Sequence, residues 1–209
     1  MGVTLNKKKS SYFKMTINDQ HYINLVISGD TSAFEVLVER YKDLVFTLTL
    51  RMLKNREEAE EVAQDTFVKT YKSLHRFKGD SKFSTWIYKI AYNTSLDRLK
   101  KNKKHFNDVA IDEFTAHQLK TIDDALDRLE SEERKKSIQD CIALLPGDDS
   151  FLLTLYYFED QSLEEISKAM GITPNNVKVK LFRSRKKLAT ILRARLEPEI
   201  IEYYERERR

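Results

Sequence analysis

Apolar residues recur along this chain at helical spacing almost throughout. Phe34, Leu37, Val38, Tyr41, Leu44, Val45 and Leu48 are separated by three and four, which draws one apolar stripe along a long helix. Thr31 or Ser32 is expected to cap its start. A second helix is expected after Asn55, with Ala59, Val62, Ala63, Phe67, Tyr71 and Leu74 turned inward. Gly79 breaks the pattern within Phe77-Lys-Gly-Asp-Ser-Lys-Phe83. Ser84 or Thr85 then restarts a third helix with Ile87, Ile90, Ala91 and Thr94 inside. With Tyr22, Ile23 and Leu25 from a short leading helix, these segments suffice for one compact core, expected over residues 19–104.

The next stretch, 105–131, is polar and ends in an acidic run with a weak helical pattern (Ile122, Ala125, Leu126, Leu129), which reads as a linker. The pattern resumes with Ile138, Cys141, Ile142 and Leu145, stopped by Pro146-Gly147. Phe151, Leu152, Leu155 and Phe158 follow as a further stripe. A second domain is expected over 132–197, flanked by charged tails at 1–18 and 198–209. With 5 Gly and 3 Pro in 209 residues there are few turns, and strand signals are absent. The expected class is all-α: two small helical domains joined by a flexible linker.

Composition narrows the functional classes. No stretch approaches the roughly 20 apolar residues of a membrane span, and Met1–Thr16 is polar and lysine-bearing, without a signal peptide's apolar segment. A cytoplasmic location is expected. The single cysteine, Cys141, permits no intrachain disulfide, and the four histidines show no metal-ligand spacing, so no cofactor or metal is expected. Residues 56–65 carry a net −4 and 69–104 a net +9. Residues 105–140 carry −5 and 156–196 carry +5. Two basic blocks divided by an acidic one suggest two surfaces that meet polyanions. No enzyme is expected, because most of the carboxylates lie outside the basic blocks and no histidine stands beside a nucleophile.

The second basic block carries a specific signal. Ser162-Leu-Glu-Glu165 is a capping box, Gly171 suits a left-handed helix end, and Thr173-Pro174 restarts a helix at once. Two helices joined so tightly make a helix-turn-helix, whose second helix enters a major groove. Its inner stripe is Val177, Leu181, Leu188 and Leu192. Asn175, Asn176, Lys178, Val179, Phe182 and Arg183 lie off that stripe near the start, where amide and guanidinium groups reach base edges. Lys180, Arg185, Lys186 and Lys187 suit phosphates.

In the first domain, Glu61, Gln64 and Asp65 share one helical patch at i, i+3 and i+4. Such an acidic patch repels nucleic acid and suits a basic protein surface. Trp86, Lys89, Asn93 and Lys100 share one side of the third helix, flanked by Tyr88 and Tyr92. Rings, an amide and cations on one face suit single-stranded DNA.

The segments Ala59–Tyr71 and Phe77–Asn93 closely resemble region 2 of the extracytoplasmic-function (ECF, group 4) sigma factors, within the sigma-70 family of bacterial RNA polymerase subunits. Leu144-Leu-Pro146 through Arg185 resembles region 4. Together the matches span most of residues 30–195, in the family's order. The resemblance implies transcription initiation on core RNA polymerase, with promoter recognition and no middle domain. It implies that Glu61, Gln64 and Asp65 dock on the β′ clamp helices, and that the second domain meets the β flap. It assigns Phe77, Lys78, Gly79, Ser81, Phe83, Trp86, Lys89 and Asn93 to the −10 element, where the loop takes a flipped base. It assigns the helix-turn-helix to the −35 element, and implies control by an anti-sigma factor, often membrane-bound. No small-molecule substrate is implied. A conventional helix-turn-helix regulator, with the first domain as sensor or dimeriser, is the competing expectation.

Overall fold

The computed structural model describes residues 19–102 and 132–195, and every regular element among them is helical. The expected linker at 105–131 and the tails at 1–18 and 198–209 lie outside the described residues. The first module comprises α1 (Asp19–Ile27), α2 (Phe34–Leu53), α3 (Arg56–Ser73) and α4 (Phe83–Lys101). The second comprises α5 (Glu132–Ala143), α6 (Gly147–Tyr157), α7 (Leu163–Met170) and α8 (Pro174–Arg195).

The expected caps are partly right. Asn55 accepts a hydrogen bond from the Glu58 amide and starts α3, whose first turn carries Glu57 and Glu58 toward the positive helix end. Thr31 and Ser32 do not cap α2. They form a 3₁₀ turn capped by Asp30, and that turn runs directly into Phe34. Ser84 and Thr85 do not cap α4 either. The helix begins at Phe83 with Lys82 at its N-cap, which places Thr85 inside the first turn, fully buried. Tyr71, expected inside, is exposed and meets Phe34 edge-on.

Within the first module α2, α3 and α4 pack on Val45, Leu48, Val62, Ile87 and Ala91. Polar links pin the same helices at their edges: Arg98 donates to Glu61 at 2.8 Å and Asn102 to Glu58 at 2.7 Å. A smaller cluster of Ile23, Leu37, Leu74 and Phe83 fastens α1 across one end. Asp19 there accepts from the Tyr41 hydroxyl at 2.7 Å and from Arg40.

The two modules are in contact. One buried cluster continues from Met52, Ile87 and Tyr88 into Phe151, Leu152, Leu155, Ile166 and Leu181. Helix α6 lies against α2 and helix α7 against α4. The Tyr92 ring lies 5.0 Å from that of Phe151, tilted by 52°, and its hydroxyl donates to Asp148 at 3.2 Å. Arg51, buried near the end of α2, donates to the Thr154 hydroxyl of α6. Burial pulls its guanidinium pKa down to about 10, so it stays charged at neutral pH. Glu159 sits near it, and burial pushes that carboxyl up to about 7, against the pull of Arg51.

This seam carries a pH dependence. The folded-state pKa of Glu159 lies above the unfolded value of about 4.3, so the fold holds an extra proton between those two pH values. Stability contributed by the neutral acid is therefore present at low pH and lost as pH rises toward 7. Glu159→Gln keeps the neutral shape at every pH. Its thermal midpoint relative to wild type is expected to rise between pH 5 and pH 8, by a gain of about 1–2 kcal/mol. A flat difference across that range contradicts the assignment.

Candidate protein-docking and nucleic-acid interfaces

Helix α3 presents its two sides to different surroundings. Val62, Ala63 and Thr66 are buried, while Glu61, Gln64 and Asp65 are exposed together as their spacing predicts. Thr66 and Thr70 satisfy their hydroxyls on the carbonyls four residues earlier, so the helix buries them without orphaned polar groups. Glu61 is partly neutralised by Arg98, a pair whose acid side is largely solvated. Val68 and Tyr71 extend the same side as exposed apolar groups.

The loop 77–83 and helix α4 form a second surface. Phe77, Phe83 and Trp86 make a ring cluster, with centroids 5.3–5.8 Å apart. Phe83 is buried as its floor, whereas Phe77 and Trp86 are half-buried. Gly79, at φ +78, takes the left-handed conformation at the loop tip, which costs a glycine little. Lys78, Lys89 and Asn93 are exposed beside the cluster and Ser81 is half-buried. Tyr88 and Tyr92, expected to flank this face, do not. Both are buried, Tyr92 against Asp148 and Phe151 of the second module and Tyr88 edge-on to Tyr41 at 6.5 Å. Burial also raises the Tyr88 phenol above its ordinary pKa, so it stays neutral.

Helices α7 and α8 form the helix-turn-helix. Ser162 accepts from the Glu165 amide at 3.2 Å and Glu165 accepts from the Ser162 amide at 2.8 Å, which closes the capping box. Gly171 adopts φ +68, and the Thr173 hydroxyl accepts from the Asn176 amide at 3.3 Å. The buried stripe of α8 is Val177, Leu181, Leu188 and Leu192, as the spacing predicts. Asn175, Asn176, Lys178, Val179, Phe182 and Arg183 are all exposed on the outer side.

The expected phosphate-binding cations are arranged less uniformly. Lys180 pairs with Asp148 at 3.2 Å and Lys187 with the buried Asp149 at 2.8 Å. Arg185 donates to the Tyr157 hydroxyl and lies over the rings of Tyr156 and Tyr157. Lys186 lies over Phe182 at 4.9 Å. The sequence reading missed the organising acids, Asp148 and Asp149, at the start of α6. Asp149 also accepts from the buried Ser184 hydroxyl at 2.6 Å, and so seats α8 on α6. Adjacent acids in the first turn after Pro146-Gly147 were the available signal.

Comparison with known proteins agrees with this arrangement. Residues 37–105 match the family model for sigma-70 region 2, and residues 135–188 match that for sigma-70 region 4. The ECF RNA polymerase sigma factor SigW of Bacillus subtilis is 35% identical over 177 residues, covering 82% of this chain and 95% of that protein. The RNA polymerase sigma-H factor of Pseudomonas aeruginosa is 35% identical over 173 residues, covering 80% and 90%. Among solved structures, CnrH in complex with the cytosolic domain of CnrY aligns with a TM-score of 0.52 at 23% identity, covering 85% of this chain and 98% of that one. RpoE of Bartonella quintana, in complex with the anti-sigma factor NepR, aligns with a TM-score of 0.54 at 17% identity, covering 78% and 98%. A two-module helical protein with this helix-turn-helix and this region 2 is a promoter-specificity subunit of bacterial transcription. The chain belongs to the extracytoplasmic-function subfamily of sigma-70 factors and acts in transcription initiation.

The seating of α8 is testable by itself. Asp149→Ala leaves the buried Ser184 hydroxyl and the Lys187 ammonium without their acceptor, and is expected to destabilise the chain by about 3 kcal/mol in urea denaturation. Asp149→Asn keeps an acceptor oxygen for Ser184 and is expected to cost clearly less. Equal losses in the two variants contradict the role given to Ser184.

Proposed function

We propose that the first module works on two sides at once, holding RNA polymerase with α3 and the opened promoter with α4. The observation that carries this reading is the opposed chemistry of the exposed groups on those two helices. Glu61, Gln64 and Asp65 stand out from α3, and Lys78, Lys89 and Asn93 from α4 and its loop, around a common core. An acidic patch next to a DNA surface is unfavourable for nucleic acid but suits the basic helices of the β′ clamp.

On the other side, the half-buried Phe77 and Trp86 rings supply stacking area beside the cations and the Asn93 amide. A surface that binds only unstacked bases favours open over closed duplex by its differential affinity. Phe83 supports those rings from beneath and Gly79 lets the backbone come close, so −10 contacts fall to Phe77, Lys78, Ser81, Trp86, Lys89 and Asn93. The exposed start of α8 reads the −35 element. Asn175, Asn176 and Arg183 offer paired hydrogen bonds to base edges, and Val179 and Phe182 offer apolar contact to thymine methyls. Lys178 is the exposed cation for phosphate, with Lys180, Arg185 and Lys186 exchanging their present partners for DNA. The second module also meets the β flap, an anti-sigma factor controls the chain, and the protein works in the cytoplasm. Family membership supports these last three assignments, and no helix among the described residues is long and apolar enough to cross a membrane.

Two experiments test the division of labour. Gln64→Ala with Asp65→Lys is expected to abolish binding to core polymerase while the full chain still binds −35 duplex; retained holoenzyme formation rejects the docking patch. Asn93→Ala is expected to reduce permanganate-detected promoter opening by roughly tenfold, in line with the about 1–3 kcal/mol of an amide hydrogen-bonded to a base edge, with little change in closed-complex formation. Equal loss in both steps removes Asn93 from the strand-binding face.

A further inference from the structure

Helix α3 changes charge along its length. Residues 56–65 carry a net −4, whereas from Lys69 to Lys78 the chain holds four bases, Lys69, Lys72, Arg76 and Lys78, and no carboxylate. Lys78 is already assigned to the −10 loop, and the other three have no part in the division of labour above. All three are exposed. Bases near the end of a helix offset its negative pole, but that effect fades beyond the last turn. Lys69 stands before that turn, and Arg76 stands past Ser73, the last residue of α3.

Their surroundings tie these bases to the strand-binding side. The Lys69 ammonium donates to the Thr94 hydroxyl of α4 at 3.2 Å, and that hydroxyl in turn donates to the Ile90 carbonyl. Thr94 adjoins Asn93, so Lys69 is fixed beside the exposed amide of α4, with two of its three N–H groups left for another acceptor. Lys72 follows one turn further along α3. Arg76 immediately precedes Phe77, whose ring lies 5.3 Å from that of Trp86. The line from Lys69 to Arg76 covers roughly 10 Å at about 1.5 Å per residue, and it leads from beside Asn93 to the ring cluster. Among the described residues neither Lys72 nor Arg76 is paired with a carboxylate, whereas Arg98, Lys180 and Lys187 are all held by acids. A polyanion meets Lys72 and Arg76 without breaking an existing pair.

We propose that Lys69, Lys72 and Arg76 form a phosphate track, which holds the backbone of the opened strand while the ring cluster and Asn93 hold its bases. The inference rests on the strand-binding reading of α4 and adds to it the path of the backbone. Cations beside stacking rings make a groove for single-stranded nucleic acid. Phosphate contacts fix register and carry no sequence information, so the track acts on affinity and salt dependence and not on promoter choice. The acids in the first half of α3 repel a strand that strays toward the polymerase-docking end of the same helix.

The test uses holoenzyme reconstituted from core polymerase with wild type, or with a chain carrying Lys72→Ala and Arg76→Ala together. Lys69 is left in place because it also links α3 to α4. The probe is a promoter fragment that supports run-off transcription by the wild-type holoenzyme, mismatched over the −10 element so that the strand is already open. Affinity is measured by fluorescence anisotropy across a salt series. The alanine variant is expected to bind more weakly, and its slope of log affinity against log salt is expected to fall in magnitude by about 1.4, at about 0.7 for each phosphate of a single strand. The fold-loss is expected to be the same when a −10 base is changed, unlike the loss from Asn93→Ala. Lys72→Arg with Arg76→Lys keeps both charges and is expected to retain the wild-type slope. An unchanged slope in the alanine variant overturns the track, whether or not affinity falls. Loss of core binding by that variant also overturns it, because the bases then belong to the docking face. Should the alanine variant fail to fold, Lys72→Gln alone is measured; about half the change in slope is expected, and no change overturns the track. If wild-type holoenzyme binds the opened fragment no more tightly than the fully paired one, and Asn93→Ala has no effect, the strand-binding reading fails and the track fails with it.

Discussion

The close approach of α6 to α2 at Gly147 governs how the rest of this molecule is arranged. Because the Met52 backbone lies where a side chain would stand, the second module settles deeply enough for Phe151 to reach Tyr92 and for Thr154 to reach Arg51. Neither module then needs a complete core of its own. The apolar cluster of the first bundle runs without a break into the second. A polar seam of this kind, with a buried guanidinium, a raised carboxyl and tyrosines kept neutral, is less costly to separate than a purely apolar one, because its groups regain water when parted.

Function is divided along the helices by which side each turns outward. On α3 the buried residues are small or β-branched, and the exposed patch is built on Glu61, Gln64 and Asp65, with Val68 and Tyr71 continuing it. On α4 the side away from the core carries lysine and asparagine, beside a ring cluster built on Phe83. On α8 the acids of α6 draw Lys180 and Lys187 inward, which leaves the exposed start of the helix to amides, Arg183 and two apolar groups. Cations held by acids position this helix, and its uncommitted amides are the groups suited to reading bases.

Much of this was legible in the sequence, and apart from the cap that Asp30 takes from Thr31 and Ser32 the main exceptions share one cause. Periodicity found the helices, and local capping chemistry found the helix-turn-helix, because both depend on neighbours within a few residues. The capping box at Ser162, the Gly171 conformation and the Thr173 cap all stand where local spacing put them. The errors arose where distant residues decide. Thr85, Tyr88 and Tyr92 read as a cap and as flanking rings, yet all three are buried, Thr85 against Gln161 and Tyr92 against Phe151 of the second module. Arg51 stands in an apolar run and gave no sign of its partner 103 positions away. Gly147 read as a helix stop, and only the backbone across the seam shows what it is for.

The claim at the centre of this account is that the two modules share one core across the seam at Gly147. Pulsed electron paramagnetic resonance measures it directly, with spin labels on the exposed positions Glu57 of α3 and Lys136 of α5 in a Cys141→Ala background. A single short distance is predicted in the free chain. A broad distribution reaching to much longer distances would contradict it.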